Sequence, residues 1–286
     1  MRSDKKSARP AAGRRQDGRA ARVTKPRAGV LDRAIVLLMS LSASPRPATL
    51  NEVARAAGLS KATAFRILAT LSEQGFVEHD ATTATYRLGI APLRLATAVL
   101  DGIEVHGVAR PVMRAVCDML NETVVLSVRD GDYRINIDAV ECTNAIGSSR
   151  RIGEPRPLHS GAASRALLAT LSDAEIEAYM KRHRLGRAHG GSPRYAESLW
   201  KDIRKARRTR LASMVAETSP QSHAVATTIA GRDGKPIAAL HVAIPRSRFS
   251  ARVEDRCGQA LVRAAAEIAA DMAAAGGISH KWSGAK

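Results

Sequence analysis

The feature that most constrains the fold is the stretch 49–75, in which a tight turn separates two short helical segments. Thr49 followed three residues later by Glu52 predicts a capping box at the start of the first helix. Gly58 predicts the left-handed residue that ends this helix, and Ser60 predicts the N-cap of the second. The stretch therefore predicts a helix, a glycine-containing turn and another helix, which is the arrangement of a helix-turn-helix motif.

The second helix of this stretch has two distinct faces at 100° per residue. The inward face is expected to hold Ala64, Ile67, Leu68 and Leu71, and the outward face Ala62, Phe65, Arg66 and Ala69. An ordinary helical hairpin in a globular core has the same spacing. Two short strand-like runs, 76–80 and 85–89, follow around a polar turn and predict a β-hairpin. This hairpin favours a winged helix-turn-helix, whose second helix reads base edges in the major groove.

Charge points to a polyanionic partner. The formal net charge is +18, and residues 1–29 hold ten Lys or Arg against two Asp. Nucleic acid is favoured over membrane, because no lipid-binding segment is evident. The basic tail lacks large apolar residues and is expected to be disordered. It either follows phosphates non-specifically or serves only as a solubilising leader.

Compartment and cysteine usage agree with this interpretation. The sequence has no run of about 18 apolar residues and no apolar segment typical of a secretory signal, so we expect a cytoplasmic, nucleoid-associated protein. Cys117, Cys142 and Cys257 are widely separated and lack metal-ligand spacing. They are interpreted as packed thiols, with neither disulfides nor a structural zinc site. No cofactor or metal is expected.

The rest of the chain predicts a second domain with an antiparallel sheet. A first helix from Val30 is expected to pack Leu31, Ala34, Ile35, Leu38 and Leu41 behind the hairpin. A linker helix follows at 90–100, and the next helix is expected to carry Val112, Val116 and Met119 inward. Strands are expected at 123–129, 133–140, 143–149, 224–230 and 237–244, and helices at 161–170, 173–183, 195–211 and 251–275. Strands on both sides of a helical middle indicate an α+β fold.

These parts predict the following division of the 286-residue chain. The segments are a basic tail (1–29), a winged helix-turn-helix domain (30–90), a linker helix region (91–107), an α+β domain (108–276) and a C-terminal tail (277–286).

The order of parts resembles the IclR family of bacterial transcriptional regulators over 30–275. The resemblance rests on LSKATAFRILATLSEQGFV at 59–77, YRLG at 86–89, PLHSGAA at 157–163 with RALL at 165–168, and DG at 233–234 followed by IAAL at 237–240. It implies a winged helix-turn-helix, a linker helix and a GAF-like effector domain that binds a small organic or aromatic acid. It also implies a homodimer or homotetramer on a palindromic or repeated operator. The chain departs from the family at 211–218, where Glu217 is the sole acidic residue, and at 223–230, which lacks the usual Cys and Pro.

Six residues are candidate DNA contacts. They are Arg46, Lys61, Thr63, Phe65, Arg66 and Arg87. Arg66 matches the family's recognition-helix arginine and suits a phosphate or the O6 and N7 edge of guanine. Lys61 and Thr63 suit phosphate oxygens at the helix N-terminus, and Phe65 either contacts a thymine methyl group or packs against the wing. The two remaining arginines suit the DNA backbone, with solvated side chains as the alternative.

The resemblance also implies positions for an effector. They are Ile146, Ser148, Gly161, Ala162, Ala163, Met214, Ala224, His241 and Ala243. The small residues that begin the helix at Gly161 either leave room for a ligand carboxylate near the helix amides or pack closely against the sheet. His241, in an otherwise apolar strand, either pairs with an acidic ligand or is a satisfied core histidine.

These features predict a sequence-specific DNA-binding transcriptional regulator whose operator binding responds to a small-molecule effector. Its expected partners are double-stranded operator DNA, the effector and further copies of the chain, without a membrane. A ligand-independent architectural DNA-binding protein is the main alternative. An enzyme on a GAF-like domain is disfavoured, because no hydrolase, zinc-protease or nucleotide-phosphate motif occurs.

Overall fold

A computed structural model of the chain describes residues 29–142, 151–186, 192–215 and 221–275. These residues form two compact units that divide between Arg94 and Leu95.

The N-terminal unit combines three helices with a small antiparallel sheet. Its elements are α1 (Val30–Ser42), β1 (Ala48–Thr49), α2 (Leu50–Ala57), α3 (Lys61–Glu73), β2 (Val77–Asp80) and β3 (Thr85–Leu88), and α4 (Ala91–Asp101) follows. The strand order is β1-β3-β2, with β2 and β3 forming the predicted hairpin. The predicted winged helix-turn-helix is therefore confirmed.

Local capping fixes both helices of the motif. Thr49 Oγ1 accepts the amide of Glu52, and the Glu52 carboxylate accepts the amide of Thr49 at 2.8 Å, which completes the predicted capping box. Gly58 ends α2 with φ 66°, a conformation that is unfavourable for residues with a Cβ. Ser60 caps α3 by accepting the amide of Thr63. The turn between the helices is therefore determined by local sequence.

The core of this unit differs from the prediction at α1. Ala64 and Leu68 of α3 are fully buried as expected. On α1, however, Leu31 is 80% exposed and Ile35 59% exposed, while Leu37 is fully buried. The helix is apolar on several sides, so its periodicity alone did not identify the face that packs.

The C-terminal unit contains helices on both faces of a sheet. Its elements are α5 (Glu104–Leu120), β4 (Thr123–Asp130), β5 (Tyr133–Val140), β6 (Pro155–Pro157), α6 (Ala162–Leu168), α7 (Asp173–Arg182), α8 (Pro193–Thr209), β7 (Ala212–Val215), β8 (Ser222–Ala230), β9 (Pro236–Pro245) and α9 (Ala251–Ala274). The six strands follow the order β6-β5-β4-β9-β8-β7, and every neighbouring pair is antiparallel. The predicted α+β fold with an antiparallel sheet is confirmed.

Strand alternation assigns each face of this sheet to its own core. Leu126 and Leu240, fully buried, point to the face that α5 and α9 cover. Ala239, the neighbour of Leu240 in β9, points to the opposite face, which α6, α7 and α8 cover. Both faces of the sheet are therefore buried, and polar residues on the second face lie beneath a helical layer.

Two details of this unit differ from the predictions, and a third prediction is not tested. Helix α5 begins earlier than expected and continues through Pro111, and it buries Met113 while Met119 is 49% exposed. Strand β7 was not predicted, because its short sequence lacks a clear alternation and its pairing with β8 defines it. The strand predicted at 143–149 lies outside the described residues.

Candidate DNA interface and effector site

The outward face of α3 is exposed as the sequence predicts. Lys61, Phe65 and Arg66 are all exposed, with Phe65 at 55%. Within the described part of the chain, neither Lys61 nor Arg66 contacts a carboxylate. The helix is held from behind by buried Leu68. It therefore presents two cations and an aromatic ring on a fixed scaffold.

Thr63 is less available than its predicted role requires. Its side chain is half-buried, and its hydroxyl lies 2.9 Å from the Ser60 hydroxyl. Its backbone amide donates to the same Ser60 side chain. A phosphate contact by Thr63 stays a prediction and would have to share this hydroxyl with the N-cap.

Arg46 and Arg87 both form ion pairs that the sequence analysis missed. The Arg46 guanidinium lies 2.6 Å from Glu52, and the Arg87 Nε donates to Glu78 at 2.7 Å. The Arg46 side chain, followed by hydrogen bonds from Thr49, lowers the pKa of Glu52 to about 2. Glu78 faces Arg87 across the hairpin, and opposite charges on the two predicted strand runs were the signal that could have indicated this pair.

The wing borders an open cavity of about 460 Å³. Its lining residues are Pro47, Glu78, His79, Asp80, Thr83, Thr85 and Arg87. Asp80 accepts hydrogen bonds from Thr83 and from the amide of Thr82, which lower its pKa. Because this lining carries two carboxylates, a DNA phosphate is better matched by the exposed face of α3.

The predicted effector residues on the strands lie on one face of the sheet. Met214 pairs with Ala224, and Ala224 pairs with Ala243, so the three form one cross-strand row. His241, 8% exposed, lies on the same face one row further along β9. The strand register thus brings together the four positions that the resemblance singled out there.

Helix α6 packs directly on this face. Ala162 and Ala163 are 1% and 3% exposed and belong to the same buried cluster as Ala224. Gly161 precedes the helix with φ 89°, a value that favours glycine. Small residues on both sides bring α6 and the sheet close together. Ile146 and Ser148 lie outside the described residues, so the effector assignments stay predictions.

Below α6 lies a hydrogen-bonded cluster of aromatic side chains that the sequence analysis did not identify. His159 Nδ1 lies 2.6 Å from the Tyr179 hydroxyl, and the Tyr195 hydroxyl donates to the His159 carbonyl. Burial, with the nearby His183 and Arg165, lowers the pKa of His159 to about 4. The motif PLHSG contains this histidine, but the tyrosines that contact it come from α7 and α8. No pattern near the motif therefore predicts the cluster.

A second polar cluster that was missed lies on β4 and β5. Arg134 is 7% exposed and donates to Ser127 and Asn136. Arg134 and Asn136 alternate with apolar residues in β5, and their side chains lie on the face that α6 to α8 cover. Asp138, beyond the register shift, lies against α5 instead and contacts Arg110. Burial lowers the pKa of Arg134 to about 10, and Arg156 adds to this effect.

Metal binding and membrane insertion find no support in the described residues. They contain no group of His, Cys, Asp and Glu that could hold a metal ion. No helix among them is long and apolar enough to cross a membrane. The three cysteines are buried and free, and burial raises the pKa of Cys257 to about 11.

Comparison with known proteins accounts for both units. Residues 30–81 match the family model described as the IclR helix-turn-helix domain, and residues 97–270 match that of the bacterial transcriptional regulator IclR C-terminal domain. The HTH-type transcriptional regulator KipR of Bacillus subtilis is 30% identical over 208 residues, which cover 73% of this chain and 82% of KipR.

Two solved structures share the fold. A putative transcriptional regulator, RHA06195, from Rhodococcus sp. RHA1 has a TM-score of 0.74 and 26% identity, covering 86% of this chain and 98% of its own. An IclR homolog from Microbacterium hydrocarbonoxydans, complexed with 4-hydroxybenzoate, has a TM-score of 0.73 and 22% identity, covering 86% of this chain and 100% of its own. With both domains matched in order, this chain belongs to the IclR family of bacterial transcriptional regulators.

Proposed function

We propose that the protein recognises a specific operator through the exposed face of α3 and that a small organic or aromatic acid, bound by the C-terminal unit, modulates this binding. The observation that carries the DNA part is the pair of exposed cations on α3 without a carboxylate partner among the described residues. A capped helix backed by a buried core holds these side chains in a fixed register.

Each side chain of this face has a chemical role in the proposal. Arg66 presents a planar guanidinium that matches the O6 and N7 acceptors of guanine. Lys61 lies at the helix N-terminus, where its charge and the free amides both favour a phosphate. Phe65 offers an apolar surface to a thymine methyl group. Ala62 and Ala69 on the same face allow close approach but contribute no hydrogen bonds.

The loop and wing arginines are supporting contacts in this proposal. Arg46 and Arg87 each contact a carboxylate of their own unit. A DNA phosphate must therefore compete with Glu52 or Glu78 for the guanidinium, which reduces the net gain. We expect Arg66→Ala to weaken specific binding more than Arg87→Ala.

Substitution of Arg66 tests this assignment. An operator is first obtained by selection from random duplexes, and affinity is then measured by fluorescence anisotropy on the operator and on a scrambled duplex. Arg66→Ala should remove about 1 to 3 kcal/mol of discrimination between the two. Arg66→Lys should retain affinity for both duplexes but lose discrimination, because a lysine cannot form the bidentate contact.

The matched control is Arg208→Ala, which makes the same charge change at an exposed residue of α8 in the other unit. It should leave discrimination unchanged. If Arg66→Ala still discriminated between the operator and the scrambled duplex as well as the wild type does, this result would contradict the proposal that α3 reads the bases.

The effector part is supported by the row of Met214, Ala224 and Ala243 beneath α6 and by the family to which the chain belongs. The Microbacterium homolog, similar to this chain in fold, is complexed with an aromatic acid. Aromatic acids therefore belong among the compounds tested first.

Thermal unfolding with a panel of acids tests this part. The panel contains 4-hydroxybenzoate, benzoate and short aliphatic carboxylates, with 4-hydroxybenzamide as the neutral control. A bound acid at 100 times its Kd should stabilise the protein by about 2.7 kcal/mol and change operator affinity. No shift with any acid, together with unchanged operator binding, would favour the alternative of a ligand-independent architectural DNA-binding protein.

Self-association is also part of the proposal. Helix α1 exposes Leu31 and Ile35, and α4 exposes Leu95 and Val99, which is unusual for surfaces that remain in water. A homodimer or homotetramer would bury such residues and match a repeated operator. Light scattering during size-exclusion chromatography measures the assembly. A monomer at micromolar concentration would contradict this part.

A further inference from the structure

Arg134 differs from the other buried charged side chains of the C-terminal unit. Among the residues that the structure describes, Glu122 pairs with Arg248, Asp138 with Arg110, and Arg165 with Asp202. Arg134, equally buried, contacts no carboxylate in this part of the chain. A buried ion without a counter-charge is strongly unfavourable, so its retention requires an explanation.

The hydrogen bonds of Arg134 to described residues use only one nitrogen of its guanidinium. Nη1 donates to Ser127 Oγ at 3.2 Å and to Asn136 Oδ1 at 2.7 Å. Nε is buried and has no hydrogen-bond partner among the described residues. The Nε and Nη2 hydrogens form a planar fork that matches the two oxygens of a carboxylate. The neutral Ser127 and Asn136 thus orient the group without neutralising it.

The surroundings add positive charge. Arg129 on β4 and Arg156 on β6 are the cross-strand partners of Arg134, so three arginines lie side by side on adjacent strands. Arg156 lies 3.5 Å from Glu154, so this carboxylate offsets the charge of only one of the three arginines. Outside the described residues the sequence contains only Asp4, Asp17 and Glu217 as acidic residues. The sequence therefore offers few internal carboxylates for Arg134.

From this arrangement we propose that Arg134 is the anchor for the carboxylate of a small organic acid, held at the corner where β4, β5 and β6 meet. The inference rests on the proposed effector function, namely that the C-terminal unit binds a small acid, and it assigns the carboxylate of that acid to this corner. A small acid bound here would not reach the row that contains Met214 and Ala243. Ala243 pairs with Thr123, six residues from Arg129 along β4, so it lies about 20 Å away at about 3.4 Å per residue.

A ligand at this corner would affect residues 151–153, which follow β5 in the chain. The Gly153 amide donates to the Asn136 carbonyl at 2.9 Å, and Asn136 Nδ2 is 3.5 Å from the Arg151 carbonyl. Asn136 also contacts Arg134 directly. An acid at Arg134 is therefore connected to residues 151–153 through the hydrogen bonds of Arg134 and Asn136.

The first test compares unliganded variants by thermal unfolding of the full chain. Arg134→Gln removes an uncompensated charge, so its midpoint should equal or exceed that of the wild type. Arg165→Gln breaks an ion pair and should lower the midpoint. A lowered midpoint for Arg134→Gln, restored in the double variant with Glu217→Gln, would show that Glu217 is the partner of Arg134 and would overturn the proposal. A lowered midpoint that the double variant does not restore would also show that the charge of Arg134 is already balanced in the folded protein, and it would overturn the proposal.

The second test measures the affinity of 4-hydroxybenzoate, benzoate, acetate and pyruvate by calorimetry without DNA. Arg134→Gln should weaken binding of the best acid at least about tenfold, since it removes charge-assisted hydrogen bonds. Arg134→Lys keeps the charge but loses the planar fork, so it should bind this acid more weakly than the wild type. Its affinity for sulfate should equal that of the wild type. Arg129→Gln, which changes a neighbouring charge, should retain most of the affinity.

The outcomes separate this inference from the proposed function. Loss of acid binding in Met214→Ala but not in Arg134→Gln would overturn the role of Arg134 and support an effector site at the Met214 row. Equal binding of sulfate and carboxylates by the wild type would overturn the assignment to a carboxylate. Absence of binding by all four acids would overturn both proposals.

Discussion

Acidification should destabilise the C-terminal unit through His159. Its Nδ1 lies 2.6 Å from the Tyr179 hydroxyl, and the same hydroxyl accepts the backbone amide of His159 at 3.0 Å. The hydroxyl proton is therefore directed at Nδ1, which must be unprotonated to accept it. Burial, and then the electrostatic effects of His183 and Arg165, lower the pKa of His159 from 6.5 to about 4.

The sign of the effect follows from the lowered pKa. At pH 7.5 His159 is neutral in both folded and unfolded chains. Below pH 6.5 the unfolded chain binds a proton first, so the free energy of unfolding falls as the pH approaches 4. At pH 5, about 1.5 units below the unfolded pKa, the loss is about 2 kcal/mol at 1.36 kcal/mol per unit. Partial exposure of the imidazole reduces this to about 1 to 2 kcal/mol.

Urea unfolding at pH 7.5, 6 and 5 measures this loss. Trp200, half-buried in the cluster that contains Tyr179, reports the transition by fluorescence in a Trp282→Phe background. His159→Asn is the comparison, because its amide oxygen can accept the Tyr179 hydroxyl without titrating. Its loss between pH 7.5 and 5 should be smaller by about 1 to 2 kcal/mol. His223, whose pKa is also lowered by burial, is present in both proteins and cancels. Identical pH dependence in the two proteins would refute the reasoning.

Three further substitutions test the packing of the N-terminal unit, each by hydrogen exchange of its helices in the full chain. Gly89→Ala would place a Cβ 2.3 Å from the Gly75 carbonyl oxygen and should cost at least about 1 to 3 kcal/mol. Gly107→Ala, in α5 of the C-terminal unit and with nothing within 4 Å of the new Cβ, is the control and should leave exchange in the N-terminal unit unchanged. Leu68→Ala removes a fully buried side chain and should cost about 2 to 5 kcal/mol; unchanged exchange would contradict its core role. Thr49→Ala removes the capping box and should cost about 1 kcal/mol, with the effect confined to α2.

The helix-turn-helix could be predicted because its signals are local. Thr49, Gly58 and Ser60 each determine a cap or a turn through contacts within a few residues. The two faces of α3 follow from a single helical period. The packing face of α1 could not be predicted in this way, since Leu31 and Leu37 are equally apolar and only the tertiary core decides which one is buried.

Sites in the C-terminal unit depend on pairing across long sequence separations. Met214 and Ala243 share a row through the register of β7, β8 and β9, which alternation alone does not determine. Strand β7 itself exists through its pairing with β8. Arg134 lies in a predicted strand, but only the second layer of helices makes it a buried charge. The sequence predicted most of the elements, whereas the environment of each polar side chain required the assembled layers.

Arg66 and Arg134 both lack a carboxylate partner in the described part of the chain, but this observation carries different weight in the two units. An exposed lysine or arginine is solvated at little cost, so Arg66 indicates DNA binding only together with the motif around it. Arg134 is 7% exposed, and water cannot compensate its charge to the same extent. Because a buried charge is costly wherever it lies, a buried guanidinium whose Nε has no hydrogen-bond partner among the described residues is a stronger physical indication of an anionic ligand than surface charge. The chemistry of the effector is therefore better inferred from the electrostatics of Arg134 than from the small residues around α6, which close packing explains equally well.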